Sequence, residues 1–170
     1  MVLPVTGDTD AGVTVIRADQ PHVPDIVRLV GELRAQEDLP PAISTQSVLA
    51  YLAEAQTEAL VAVAASVAGP ARVDAEGAGH RDSIVGLLTL RILGDLFHDG
   101  TSAMIQELIV DRGWRGRGVG GALLDAAVDL ARERGCAEIG VSTGIRNPDA
   151  QRLYRARGFE ADSLWFELHL

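Results

Sequence analysis

The chain has 170 residues, 47% of them hydrophobic and 23% charged, which suits one soluble domain with a substantial core. Its formal net charge of −9 argues against nucleic acid as a partner, because phosphate contacts need cations clustered over a wide face. An acidic surface instead favours the approach of a cationic amine. The single cysteine, Cys136, excludes an internal disulfide and a cysteine cluster for zinc. The longest apolar run, Ala59 to Ala65, is too short to span a bilayer. Residues 1–12 carry Asp8 and Asp10 with no basic start, unlike a secretory signal. A cytoplasmic protein without membrane contact is therefore expected. All basic residues are arginine and lysine is absent, so the protein has no side-chain ε-amine of its own.

Residues 1–12 read as a flexible tail, and residues 13–170 as a single domain. Val13 to Ile16 alternates weakly and predicts a first strand. From Pro24 to Glu37, Ile26, Val27, Val30 and Leu33 fall on one helical face, with Pro24 and Asp25 suited to the first turn. Leu39-Pro40-Pro41 breaks that helix. Ser44 or Thr45 can cap a second helix to about Gln56, with Val48, Leu49 and Leu52 inward. Leu60 to Val67 predicts a strand. Gly69 to Asp82, which contains His80, predicts an exposed connection. Ser83 to Leu93 is then a strand, Gly94 to Gly100 a turn, and Ala103 to Val110 the third strand of an antiparallel meander. His98 lies in that turn, and because no other ligand types cluster nearby no metal is expected. Val119 to Arg134 predicts a helix, with Leu123, Ala127, Leu130 and Ala131 at helical spacing. Ala137 to Thr143 is a strand, placed parallel to Ala103–Val110 by the right-handed crossover. Asn147 caps and Pro148 starts a helix that runs to about Arg157, where Gly158 stops it. Trp165 to Leu170 predicts a closing strand.

The chain is organised around Arg115-Gly116-Arg117-Gly118-Val119-Gly120, between the strand ending at Val110 and the helix starting near Val119. Glycines there let backbone N–H groups converge, and a helix start adds free donors and the positive end of its dipole. Arg112, Arg115 and Arg117 crowd this turn, and no acidic residue occurs between Asp111 and Asp125. The local charge favours a polyanion such as a pyrophosphate, although glycine–arginine turns also occur as solvated loops. Gly116 to Gly121 also fits the dinucleotide fingerprint G-x-G-x-x-G. That motif wants an acidic residue closing the next strand, whereas Val141-Ser142-Thr143 offers none, and too little chain follows for a dinucleotide fold.

Arg115-x-x-Gly118-x-Gly120 resembles the Arg/Gln-x-x-Gly-x-Gly/Ala signature of the GNAT superfamily of N-acetyltransferases. Asn147-Pro148-Asp149-Ala150 and Leu153-Tyr154-x-x-x-Gly158-Phe159 resemble its second block. The resemblance is specific from about Ala103 to Glu160 and topological before that. It implies an α/β fold: a mixed, mostly antiparallel sheet with helices on both faces, in the order β-α-α-β-β-β-α-β-α-β. It implies acetyl-CoA as cosubstrate, lying where the two parallel strands splay. Leu108, Ile109 and Val110 would meet the pantetheine arm, and Arg115, Gly116, Arg117, Gly118, Val119 and Gly120 the pyrophosphate. Asn147 is a further candidate contact, although capping already accounts for it. Trp114 is expected beneath the loop rather than on adenine.

The resemblance assigns Tyr154 the role of giving a proton to the leaving thiolate; its alternative is an amphipathic core position beside Leu153. Glu107 is the only carboxylate in its strand. Strict alternation places it with Ala103, Ile105 and Ile109, opposite Leu108 and Val110, unless a bulge intervenes. It is a candidate general base, a binder of a cationic substrate, or the partner of an arginine. The function so implied is transfer of an acetyl group from acetyl-CoA to a primary amine on a small molecule. The alternatives are a protein or peptide N-terminal acetyltransferase and a non-catalytic acyl-CoA-binding regulatory domain. By analogy, the C-terminal strand edge suggests a homodimer contact.

Overall fold

A computed structural model describes residues 12–36, 38–64, 83–161, 165–166 and 168. Among them, the strands are β1 (Val13–Arg17), β2 (Thr57–Ala64), β3 (Ser83–Asp95), β4 (Gly100–Val110) and β5 (Cys136–Val141). The helices are α1 (Val23–Gln36), α2 (Thr45–Ala53), α3 (Val119–Glu133) and α4 (Pro148–Arg155). The sheet order is β1-β2-β3-β4-β5. Neighbours are antiparallel except β4 and β5, which the α3 crossover makes parallel.

Helices cover both faces of this mixed sheet, as expected, and they divide the core in two. On one face α3 lays Leu123, Leu124, Ala127 and Leu130 over Val15, Leu60, Ala62, Leu88, Leu90 and Ile105. On the other, Val23, Ile26 and Leu29 of α1 and Val48 of α2 cover Ala59, Val61, Ile84, Leu87 and Ile109. Alternation in β2 and β3 feeds both layers, which explains why these strands read as nearly continuous apolar runs. Gly86 lets α3 sit close on β3, since a β-carbon there would meet Leu123 Cδ1 at 2.9 Å and Val119 Cγ1 at 3.1 Å.

Local chemistry fixes the element ends. A 3-10 turn, Gln20–His22, leads into α1; Asp19 accepts from Gln20 N at 2.7 Å and His22 Nδ1 accepts from Asp19 N at 2.9 Å. Ser44 caps α2 by accepting from Ser47 N at 3.0 Å. The second helix stops at Ala53 rather than near Gln56. There Thr57 Oγ1 donates to the carbonyls of Tyr51 (2.6 Å) and Glu54 (3.0 Å), turning the chain straight into β2. β2 accordingly starts at Thr57, three residues before the expected Leu60, and the expected end at Val67 lies outside the described residues. The β3–β4 hairpin is tighter than its sequence suggests, with strand pairing continuing to Asp95 and Gly100.

The closing strand expected at Trp165–Leu170 is not found in its described part. Trp165, Phe166 and Leu168 belong to no strand and are exposed. The connection Gly69–Asp82, with His80, lies outside the described residues. No described helix is long and apolar enough to cross a membrane.

Because Leu123 is fully buried between α3 and β3, Leu123→Ala is expected to cost about 2–5 kcal/mol of stability. Urea unfolding measures it, with the midpoint moving and the slope unchanged.

Candidate active site

The site begins with a break in pairing. β4 pairs with β5 from Thr101 to Ile105, against Cys136 to Val141, and not beyond. β4 itself continues to Val110. Among the described residues, Gln106 to Val110 therefore has no strand partner on the β5 side, an edge roughly 16 Å long at the usual rise per residue. The ladder ends beside a bulge. Thr89 faces Glu107 and the next residue, Leu90, faces Ile105, so Gln106 is the extra residue.

That bulge settles the faces. Ala103 and Ile105 lie in the α3 core, whereas Ile109 lies in the core with α1 and α2. The strict alternation that grouped Glu107 with Ala103 and Ile105 is thus corrected. Glu107 shares the α1–α2 face with Ile109, while Leu108 and Val110 turn towards α3. Asp111 N donates to Val85 O at 2.9 Å and Glu107 N to Thr89 Oγ1 at 3.2 Å, both across to β3. By the period of two, Leu108 and Val110 direct their N–H and C=O groups away from β3 into the opening, and Ile109 directs its own towards β3.

The glycine turn closes one end of this edge. Asp111 Oδ1 accepts from Gly113 N at 2.9 Å and starts the 3-10 turn Arg112–Trp114. Gly116 (φ 72°) and Gly118 (φ 86°) then take left-handed conformations that other residues adopt only at a cost. Gly118 is the N-cap of α3 and supplies no side-chain hydrogen bond. The first-turn N–H groups of Val119, Gly120 and Gly121 consequently have no helical partner by geometry. Val119 buries its side chain in the α3 core and leaves only its backbone to the turn. At Gly120 a β-carbon would meet Leu153 Cδ2 at 3.2 Å and Val110 Cγ2 at 3.6 Å, so glycine is what lets α3, α4 and β4 converge.

The arginines differ in what they do. Arg115 Nε donates to Val110 O at 3.0 Å, and its guanidinium reaches Gln36 Oε1 at 3.3 Å. Arg117 lies 5.1 Å over the Trp114 ring, and Trp114 packs against the α3 core, as expected for a residue beneath the loop.

Glu107 and Tyr154 lie on opposite faces of the sheet. Thr89 Oγ1 donates to Glu107 Oε2, which ties the carboxylate to β3. Tyr154 packs against the α3 core beside Phe159, with ring centroids 5.9 Å apart. Burial raises the Tyr154 pKa above 10.0 and holds the phenol protonated at neutral pH. Asn147 Oδ1 accepts from Ala150 N at 3.2 Å, the cap expected of it.

Residues 42–159 match the acetyltransferase (GNAT) family. The chain belongs to that family. Over 83 residues it is 34% identical to an aminoalkylphosphonate N-acetyltransferase of Salmonella typhimurium, covering 49% of this chain and 54% of that protein. It is 40% identical over 58 residues to an uncharacterized N-acetyltransferase of Methanocaldococcus jannaschii, covering 34% of this chain and 26% of the relative. The chain thus spans between 26% and 54% of the length of the curated relatives it matches. In three dimensions it superposes on a transcriptional regulator from Bacillus halodurans C-125 with a TM-score of 0.73 at 24% identity, covering 93% of this chain and 99% of that one. That likeness shows the GNAT fold.

Two features of this GNAT domain escape a reading of the sequence. Arg28 of α1 donates to Asp111 Oδ2 (2.9 Å), Glu32 Oε1 (3.0 Å) and Ile84 O (2.9 Å), pinning the entrance of the glycine turn. Nothing local signals this, since Arg28 and Asp111 are 83 positions apart. The second corrects the view that no ligand types gather around His98. Asp95, His98 and Glu138 offer atoms within 4.8 Å of one another. Asp95 is already engaged, accepting from Phe97 N at 3.0 Å and meeting His98 Nδ1 at 2.7 Å, which braces the hairpin turn, while Glu138 of β5 lies 4.0 Å from His98 Nε2.

The Asp95 partner raises the His98 pKa above 6.5, and the same hydrogen bond lowers that of Asp95 below 3.8. The His98 contribution is complete below pH 6.5 and lost as pH rises through its raised pKa; that of Asp95 is present above 3.8 and lost as pH falls through its lowered one. NMR titration of the imidazole is expected to place its midpoint above 6.5, and Asp95→Asn to return it towards that value.

Proposed function

We propose that this protein is an N-acetyltransferase that moves the acetyl group of acetyl-CoA directly to a primary amine on a small molecule. One observation carries the proposal: the unpaired edge of β4 runs directly into a glycine turn whose helix starts without a side-chain cap. The N–H groups of Leu108 and Val110 and the C=O of Leu108 suit the amides of a pantetheine arm, as an added strand would, while the Val110 C=O already accepts from Arg115. The N–H groups from Gly116 to Gly120 suit a pyrophosphate, with Arg115 and Arg117 adding charge. Ile109 anchors the strand between its two neighbours, and Asn147 sets the start of α4.

Acetyl-CoA supplies the acetyl group as a thioester, whose carbonyl is attacked by the amine. An ammonium acceptor must first lose a proton. Glu107 takes it, directly or through water, on the oxygen that Thr89 leaves free. Tyr154 gives its phenolic proton to the departing sulfur and recovers one from the nitrogen as it becomes the amide, and its burial keeps the phenol protonated at neutral pH. A small-molecule acceptor is supported by the Salmonella relative, whose name specifies an aminoalkylphosphonate. The net charge of −9 favours a cationic amine.

Thermal unfolding with acetyl-CoA, and in parallel with NADH, tests the site. Ligand at 100 times its Kd adds about 2.7 kcal/mol, so a rise in Tm of roughly 5–10 °C is expected with acetyl-CoA and none with NADH. Absence of that rise would sink the assignment. Tyr154→Phe and Glu107→Gln are each expected to lower kcat by about 100-fold while keeping the acetyl-CoA shift. The acceptors are aminoalkylphosphonates, polyamines and a peptide with a free N-terminus. Acetylation of the peptide alone would make this an N-terminal acetyltransferase. Binding without turnover on any of them would make it an acyl-CoA-binding regulatory domain.

A further inference from the structure

Tyr51 of α2 ends in the one buried side-chain polar atom without a hydrogen-bond partner among the described residues. A buried hydroxyl in that condition is costly, so its surroundings are informative. The ring is held in place from its own backbone, because Tyr51 O accepts from Thr57 Oγ1 at 2.6 Å. The hydroxyl stands beside Thr89 of β3, outside strict hydrogen-bond geometry, and the charges facing it are Glu107 of β4, Arg91 of β3 and Glu54 of α2. Arg91 and Glu54 are paired with each other.

The capacity of Thr89 fixes what Tyr51 can do. A threonine hydroxyl has one proton and two lone pairs. Thr89 gives the proton to Glu107 Oε2 and uses one lone pair on Glu107 N. One lone pair is left, and Tyr51 holds the one unused buried proton.

We infer that Tyr51 is a positioning residue for Glu107, donating to Thr89 so that a chain Tyr51–Thr89–Glu107 holds one carboxylate oxygen and leaves the other to the acceptor. The inference deepens the acetyl-transfer reading and rests on Glu107 being its proton acceptor. Each donor in such a chain polarises the next, so Tyr51 strengthens the bond from Thr89 without touching the acceptor. The bulge makes the arrangement available: with Gln106 in a regular strand position, Glu107 would share the face of Ile105 in the α3 core instead of that of Thr89.

The protein contains two tyrosines, Tyr51 and Tyr154, so ring-carbon labelling gives two NMR signals that Tyr154→Phe assigns. The Tyr51 Cζ signal of the full chain is followed from pH 4 to 9. A step is expected that tracks the ionisation of Glu107, disappears in Glu107→Gln, survives in Glu54→Gln, and shrinks at least twofold in Thr89→Val but not in Thr89→Ser. A Tyr51 signal indifferent to Glu107→Gln overturns the chain. In the acetylation assay, Tyr51→Phe is expected to lower kcat three- to tenfold, to shift the acidic limb of the kcat profile, and to leave the KM for acetyl-CoA unchanged. An intact NMR step with an unmoved pH profile overturns the positioning role. If the unsubstituted protein turns over no amine, the acetyl-transfer reading and the role built on it fall, while the NMR step still decides whether the chain exists.

Discussion

The structure depends on one extra residue in β4. Gln106 has no counterpart in β3, and three consequences meet there. Pairing to β5 ends at Ile105, the side chains change face, and the last five residues of the strand are left with an open edge. A bulge bends a strand and sharpens its twist, which carries β4 away from β5. A regular strand would continue the parallel ladder and close the opening. It would also keep Glu107 on the same face as Ile105, inside the α3 core, where a carboxylate without a partner is unfavourable.

The rest of the fold holds that opening in place. Two apolar layers clamp β3 and β4 from opposite sides, so the free edge belongs to a strand that is otherwise well anchored. At its far end Arg28 grips Asp111, and Asp111 in turn accepts from Gly113. This small network fixes where the glycine turn begins. Gly120 then brings α3 and α4 against Val110. The exposed donors therefore sit on rigid elements, as a preorganised site requires.

Electrostatics divides the molecule in a similar way. A chain of net charge −9 concentrates Arg112, Arg115 and Arg117 in one turn, so an anion and a cation are drawn to different parts of the surface. Glu107 and Tyr154 lie on opposite faces of the sheet. One is held by a hydroxyl from β3 and the other is desolvated against the α3 core. In the proposed reaction these are the proton acceptor and the proton donor, and the sheet itself keeps them apart. The buried Tyr51 hydroxyl extends the first of these environments back into α2.

The sequence by itself determined the elements and the turn. Helical spacing located α1 and α3, Ser44 and Asn147 announced their helices, and the glycines needed at φ > 0 marked the loop. All of these are local effects, written within a few residues. In its described part the closing strand is absent, because the pattern Trp165-Phe166-Glu167-Leu168 shows only what a strand would bury and not whether a sheet edge is there to pair with it. Only the tertiary structure decided the face of Glu107, since a bulge is a mismatch between two strands and exists in neither alone. The same holds for Arg28 on Asp111, for Glu138 beside His98, and for Thr89 and Tyr51 behind Glu107. In each case the partners lie on separate elements, and their proximity follows from the register of the sheet and the packing of helices on it, which no local pattern encodes.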